Sequence, residues 1–143
     1  MAELAWKKVL CPVDFSEESR SALRVAVDLA RRFGAELTLF HADTNANVST
    51  VLKDAESADG ELAAWKREAE AQGIASVKTA SRAGEPQLAI VDQADQGGFD
   101  LVVMGTHGRT GRDRSLIGSV AENVVRRSRV PVLTVHAEWK AAR

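Results

Sequence analysis

Short apolar runs alternate along this chain with longer segments whose apolar residues recur at helical spacing. Residues 8–13, 37–42, 100–104 and 130–135 read as strands, and residues 76–80 as a weaker, more polar strand of the kind found at a sheet edge. Continuous apolar runs, rather than strict alternation, mark strands covered on both faces. Between them, Ala22, Ala26, Leu29, Ala30 and Phe33 share one face of a helix that Ser16, Glu17 and Glu18 open and Gly34 closes. Val51, Ala55, Ala58, Leu62, Trp65 and Ala69 share the face of a second helix, with Gly60 weakening its middle. Glu85 and Pro86 open a third helix that Gly97 and Gly98 end, and residues 118–129 form a fourth with Arg126 and Arg127 near its C-terminal dipole. Residues 44–50, polar and with two asparagines, are the best loop candidate.

Strands alternating with helices specify an open, parallel α/β sheet. Proline removes a ladder hydrogen bond, so Pro131 puts the last strand at or near one side of that sheet. A length of 143 residues fits one compact domain over 1–143 with a sizeable core. With 45% hydrophobic and 27% charged residues the composition is globular and excludes disorder.

Charge narrows the function classes. The chain carries 20 acids against 19 bases, so nothing draws it generally to nucleic acid or anionic membrane. One cysteine and three scattered histidines give neither an internal disulfide nor zinc-site spacing. Without a basic-apolar leader or an apolar run of 18 residues, the expectation is a soluble, cytoplasmic protein with no nucleic-acid or membrane partner. The balance is uneven along the chain: residues 1–72 hold 9 Lys/Arg against 13 Asp/Glu, and residues 73–143 hold 10 against 7. Much of that later excess lies in 105–129, beside a glycine-rich loop. Such a stretch is either a solvated face or a local anion site.

In open α/β sheets ligands bind beyond the carboxyl ends of the strands, where strand order reverses. Two connections here are unlike plain links: Asp14-Phe15-Ser16 after the first strand, and residues 105–119 after the fourth. Glycine lets backbone N–H groups approach an anion closely and allows positive φ. Gly118 and Ser119 open a helix whose N-terminus favours phosphate, with Arg109, Arg112 and Arg114 nearby. Asp14 suits a ribose hydroxyl, by analogy with the acids of dinucleotide folds. A triphosphate nucleotide meets these features together; a flexible connection with a helix cap, and turn chemistry at Asp14, are the plainer readings.

Standard catalytic patterns are missing. The chain has no Gly-Lys-Ser/Thr, no G-x-G-x-x-G after the first strand and no G-x-S-x-G elbow. His107 can touch phosphate, but no partner for base catalysis is evident and a loop hydrogen bond suits it better. His41 and His136 read as satisfied core or edge residues, and Cys11 as a small buried hydrophobe.

The spacing Gly105-x2-Gly108-x9-Gly118-Ser119 resembles the nucleotide motif of the universal stress protein family, in its ATP-binding branch. The resemblance begins at Lys8-Val-Leu-Cys-Pro-Val-Asp14-Phe-Ser16 and takes in Leu39-Phe-His-Ala42, Gly84-Glu-Pro86 and Asp100-Leu-Val-Val-Met-Gly-Thr-His-Gly108. It continues through Gly118-Ser-Val-Ala-Glu-Asn-Val-Val125 to Val130-Pro-Val-Leu133. It implies a Rossmann-like, five-stranded parallel sheet in order 3-2-1-4-5 with helices on both faces, and a homodimer joined through the last strand.

It also implies ATP as ligand, with Mg2+ only as the triphosphate's own companion. Pro12, Val13 and Asp14 would contact adenine and ribose, Ala42 would meet the adenine through its backbone, and Met104 would flank the nucleotide. Gly105, His107, Gly108, Gly118, Ser119 and Val120 would hold ribose and phosphates. Ala42 is smaller than the valine expected, and residues 128–130 lack the proline-cysteine-proline lead-in common before the last strand. The arginines fall between motif positions, so a phosphate role for them rests on charge alone.

The reading that results is an ATP-binding, nucleotide-responsive regulator of stress response. A slow ATPase or other nucleotide-processing enzyme, and a dimeric interaction module with a vestigial site, are the rivals. Gly118→Val is expected to block phosphate approach and abolish ATP binding with the fold intact; calorimetry showing parental affinity would remove Gly118 from the site.

Overall fold

The computed structural model describes residues 5–44, 48–107 and 117–137, with the side chains of 48–58 excepted. The elements run β1 (Lys8–Pro12), α1 (Glu17–Phe33), β2 (Glu36–Asp43), α2 (Val48–Glu70), β3 (Val77–Ala83), α3 (Pro86–Gln96), β4 (Leu101–Gly105), α4 (Ser119–Arg127) and β5 (Val132–Val135). All pairings are parallel and the sheet order is β3-β2-β1-β4-β5, as the resemblance implied.

The helix signals act locally. Ser16 caps α1, its hydroxyl accepting from the Ser19 N–H at 3.2 Å, and Gly34 closes it in the left-handed region at φ 63°. Pro86 occupies the first turn of α3, where its missing N–H costs nothing. The second helix begins at Val48, so it takes in the later part of the expected loop.

Successive strand residues face opposite sides, and the apolar runs fill two cores accordingly. Val9, Cys11, Leu37, Leu39, Leu101 and Val103 join Ala22, Ala26, Ala30, Leu62, Trp65 and Ala69 under α1 and α2. Leu10, Phe40, Val102 and Met104 join Ala89, Ile90, Ala94, Ala121 and Val124 under α3 and α4. The last strand lies at the sheet edge and begins after Pro131, two residues later than its apolar run. The Pro131 carbonyl still serves the ladder, accepting from Val102 N–H at 2.9 Å.

Gly105 ends β4 directly beneath α1. A Cβ there would stand 2.9 Å from Glu18 Cβ and 3.1 Å from its carbonyl carbon, so the strand end and the helix touch only because a side chain is missing. Gly105→Ala is expected to destabilise the fold by about 1–3 kcal/mol, the usual penalty for overpacking, read as a lowered urea midpoint. Cys11 is fully buried, and burial pushes its thiol up from 9.0 to about 12. Its contribution to stability is therefore complete below pH 9.0 and is lost as pH rises towards 12. At pH 8 a thiol reagent should label Cys11 only at the rate of unfolding; immediate stoichiometric labelling of folded protein would contradict this placement.

Candidate functional site

The first strand stops at Pro12 while β2 continues to Asp43, and β4 ends at Gly105 on the other side. A cleft of about 450 Å³ opens there, within the size range of small-molecule sites. Pro12, Val13, Phe40, Ala42, Pro86, Ile90, Met104, Val120 and Ala121 give it apolar walls, and Asp14, Ser19, Thr44, Gly105, Thr106, His107, Gly118 and Ser119 complete the lining. Ten of the eleven residues expected from the sequence thus line a single cleft. Gly108, and with it Arg109, Arg112 and Arg114, lie outside the described residues. A separate groove of about 490 Å³ runs between α1 and α2, but charged pairs line it and no strand residue reaches it.

The extra length of β2 has a chemical consequence. Along a strand, N–H and C=O groups alternate between the two neighbours. Glu36 N–H and Phe40 C=O turn to the first strand, bonding Lys7 and Val13 at 2.9 and 2.8 Å, while Leu37 N–H and Asp43 C=O turn to the β3 side. Ala42 shares the parity of Glu36 and Phe40, so its N–H and C=O point beyond the end of β1 into the cleft.

Asp14 is built into the start of α1. Its Oδ1 accepts from Ser16 N–H at 3.0 Å and from the Ser19 hydroxyl at 2.5 Å, and its own N–H donates to Ser19 Oγ at 2.9 Å. The turn-chemistry reading of Asp14 therefore holds whatever else the carboxylate does. Between Asp14 and the cap, Phe15 adopts φ 65°, a costly conformation for a side-chain-bearing residue. Its ring packs edge-on to Trp65 at 5.4 Å and lies 5.0 Å from His41, contacts that fix it there. His41 Nδ1 in turn donates to the Val13 carbonyl at 3.0 Å, a satisfied histidine as expected.

The glycines serve the chain itself. Gly118 has φ −67°, so it needs no positive φ. Its N–H donates to the Thr106 carbonyl at 2.6 Å, and a Cβ would stand 2.9 Å from that same oxygen and 3.2 Å from His107 Cα. Gly118→Val therefore also displaces the Thr106–Gly118 contact, which corrects the expectation of an intact local fold. Ser119 begins α4 with exposed polar surroundings, and Asn123 donates to its carbonyl at 2.8 Å.

Sequence reasoning missed Glu18 and Thr106. Thr106 is 1% exposed with every polar group engaged: its N–H donates to Val135 O at 3.1 Å, its carbonyl accepts from Gly118, and its hydroxyl donates to Glu18 Oε2 at 3.1 Å. Glu18 Oε2 also accepts the His107 N–H, and Oε1 lies 3.3 Å from His107 Nδ1. His107 thus has a carboxylate partner that a separation of 89 positions hides from the sequence. Only the acid at a helix start was legible, and dipole complementarity was explanation enough for it. No group of three or more metal-ligating side chains occurs among the described residues. No helix among them is long and apolar enough to cross a membrane.

A family model described as the universal stress protein family matches residues 5–136. Universal stress protein MJ0531 of Methanocaldococcus jannaschii is 35% identical, covering 93% of this chain and 84% of its own. The solved structure of MJ0577, from the same organism, superposes with a TM-score of 0.82 at 34% identity, covering 96% of this chain and 99% of its own. A universal stress protein solved in complex with cAMP superposes with a TM-score of 0.67 at 31% identity, covering 94% and 99%. Fold, motif order and relatives agree over nearly the whole length, and the chain belongs to the universal stress protein family.

Proposed function

We propose that this protein binds ATP in the cleft between β1 and β4 and acts as a nucleotide-responsive regulatory module in stress response. The observation that carries this reading is the place of Ala42, which lines the cleft beyond the last residue of β1 and whose N–H and C=O, by strand alternation, turn to the side that β1 leaves open. Adenine presents a ring acceptor beside an amino donor, which this pair matches, and Pro12, Val13 and Met104 supply apolar walls. Asp14 is the partner for ribose. Gly105, His107, Gly118, Ser119 and Val120, with Gly108, hold ribose and phosphates, the phosphates lying towards the N-terminus of α4. The family member solved with cAMP supports an adenine nucleotide as the ligand class.

Mg2+ enters with the triphosphate in this reading. A homodimer through β5 would cover an edge strand whose Leu133 is 39% exposed. A slow ATPase is the second reading, favoured by the Glu18 carboxylate beside His107, the partner whose lack counted against catalysis in the sequence.

Denaturing freshly purified protein and identifying what it releases is the first test. ATP supports the regulator, ADP or AMP favours turnover, and no nucleotide together with no calorimetric response to Mg-ATP favours an interaction module. Asp14 variants then separate turn chemistry from binding. Asp14→Ala removes both Oδ1 hydrogen bonds and should cost about 0.5–2 kcal/mol of stability along with at least tenfold in ATP affinity. Asp14→Asn keeps an acceptor for Ser16 and Ser19, so it should hold stability while binding ATP several-fold more weakly. Parental affinity in both variants removes Asp14 from the site.

A further inference from the structure

Glu18 occupies a position that the helix dipole alone would explain, yet its side chain is turned inward and only 11% exposed. Three donors converge on it: the Thr106 hydroxyl and the His107 N–H on Oε2, and the His107 ring on Oε1. The Thr106 hydroxyl gives its single proton to Glu18, so its oxygen faces His107 Nδ1 at 3.1 Å, and His136 Nδ1 at 3.4 Å, as an acceptor. His107 Nδ1 therefore looks at two acceptors, and in the singly protonated ring it carries the proton. Nε2 is left with a lone pair.

That Nε2 is the one buried side-chain nitrogen or oxygen without a hydrogen-bond partner among the described residues. The ring is 7% exposed, lines the cleft and turns its Cδ2 edge towards the start of α4, 3.6 Å from where a Gly118 Cβ would stand. A buried acceptor left unpaired is a standing cost, and such atoms in folded proteins mark a missing ligand group or water.

We propose that Glu18 is a positioning residue of the nucleotide cleft, holding His107 with its proton on Nδ1 so that Nε2 accepts a hydrogen bond from a ribose hydroxyl of the ligand. This rests on the nucleotide reading above. A neutral acceptor opposes phosphate oxygens, which are acceptors themselves. With the base at Ala42, the remaining donors of a nucleotide are its ribose hydroxyls.

Glu18→Gln is the informative variant, since it keeps shape but replaces an all-acceptor group with one that also donates. To avoid facing donor with donor, its amide must turn NH2 to His107 Nδ1, which moves the ring proton to Nε2. Nitrogen-15 NMR of the free protein should show the Nδ1–H form in the parent and the Nε2–H form in Glu18→Gln. Parent protein should bind ATP about tenfold or more tightly than one of 2′-deoxy-ATP and 3′-deoxy-ATP, the worth of one lost hydrogen bond to a buried acceptor, and the variant should narrow that preference about tenfold while keeping the share that Asp14 holds. An Nε2–H ring in the parent overturns the proposal, as does tighter ATP binding by the variant, which would put phosphate at Nε2. ATP binding with equal affinity for all three nucleotides overturns it and leaves the nucleotide reading standing; no ATP binding overturns both. Even if the variant fails to fold, an Nε2–H ring or equal affinity for the three nucleotides in the parent overturns the proposal.

Discussion

A buried carboxylate in the first turn of α1 holds the working end of this molecule together. Glu18 gathers the hydroxyl of Thr106 with the backbone and ring of His107, and Thr106 in turn ties β5 through Val135 and α4 through Gly118. Two helices and the edge strand thus meet at one residue whose polar groups have no access to water. Each of those groups would cost about 1–3 kcal/mol if left unpaired, so they hold their partners in place together or not at all. The arrangement depends on Gly105, because any side chain there would push the strand end off Glu18.

The cleft follows from strand lengths as much as from its lining. In this sheet order the chain leaves β1 and β4 in opposite directions, and ligands of open α/β proteins sit at such a switch point. Because β1 ends at Pro12 and β2 runs on to Asp43, the backbone of Ala42 is carried past its neighbour into open space. Apolar walls, the backbone of Ala42 and the N-terminus of α4 around one cleft are a set of features suited to a base and its phosphates.

The glycine-rich spacing carried more than one meaning. Read along the chain, Gly105 and Gly118 allow backbone to approach an anion; in the folded protein they also let backbone approach backbone, at Glu18 and at Thr106. Asp14 is similar, since the position that suits a ribose hydroxyl also serves Ser16 and Ser19. A main chain that is to meet a ligand must first be held still, and the local contacts at these positions hold it. Phe15 belongs to the same economy: its φ of 65° directs the chain from strand to helix, and Trp65 and His41 hold the ring that makes this tolerable.

By itself the sequence determined the strands, the helix ends at Ser16 and Gly34, the place of β5 at or near an edge announced by Pro131, and the two unusual connections at Asp14 and before Gly118. Each of these is encoded in near neighbours: period, cap and spacing act within a few residues. Strand order was not among them and, like most of the residues expected around the cleft, came from the family resemblance. Only the tertiary structure decided that Glu18 points inward to His107 rather than outward to water, and that the Gly118 N–H goes to Thr106. Those choices depend on burial and on partners up to 89 positions away, and a single acid at a helix start looks the same along the chain whether solvent or a buried imidazole awaits it.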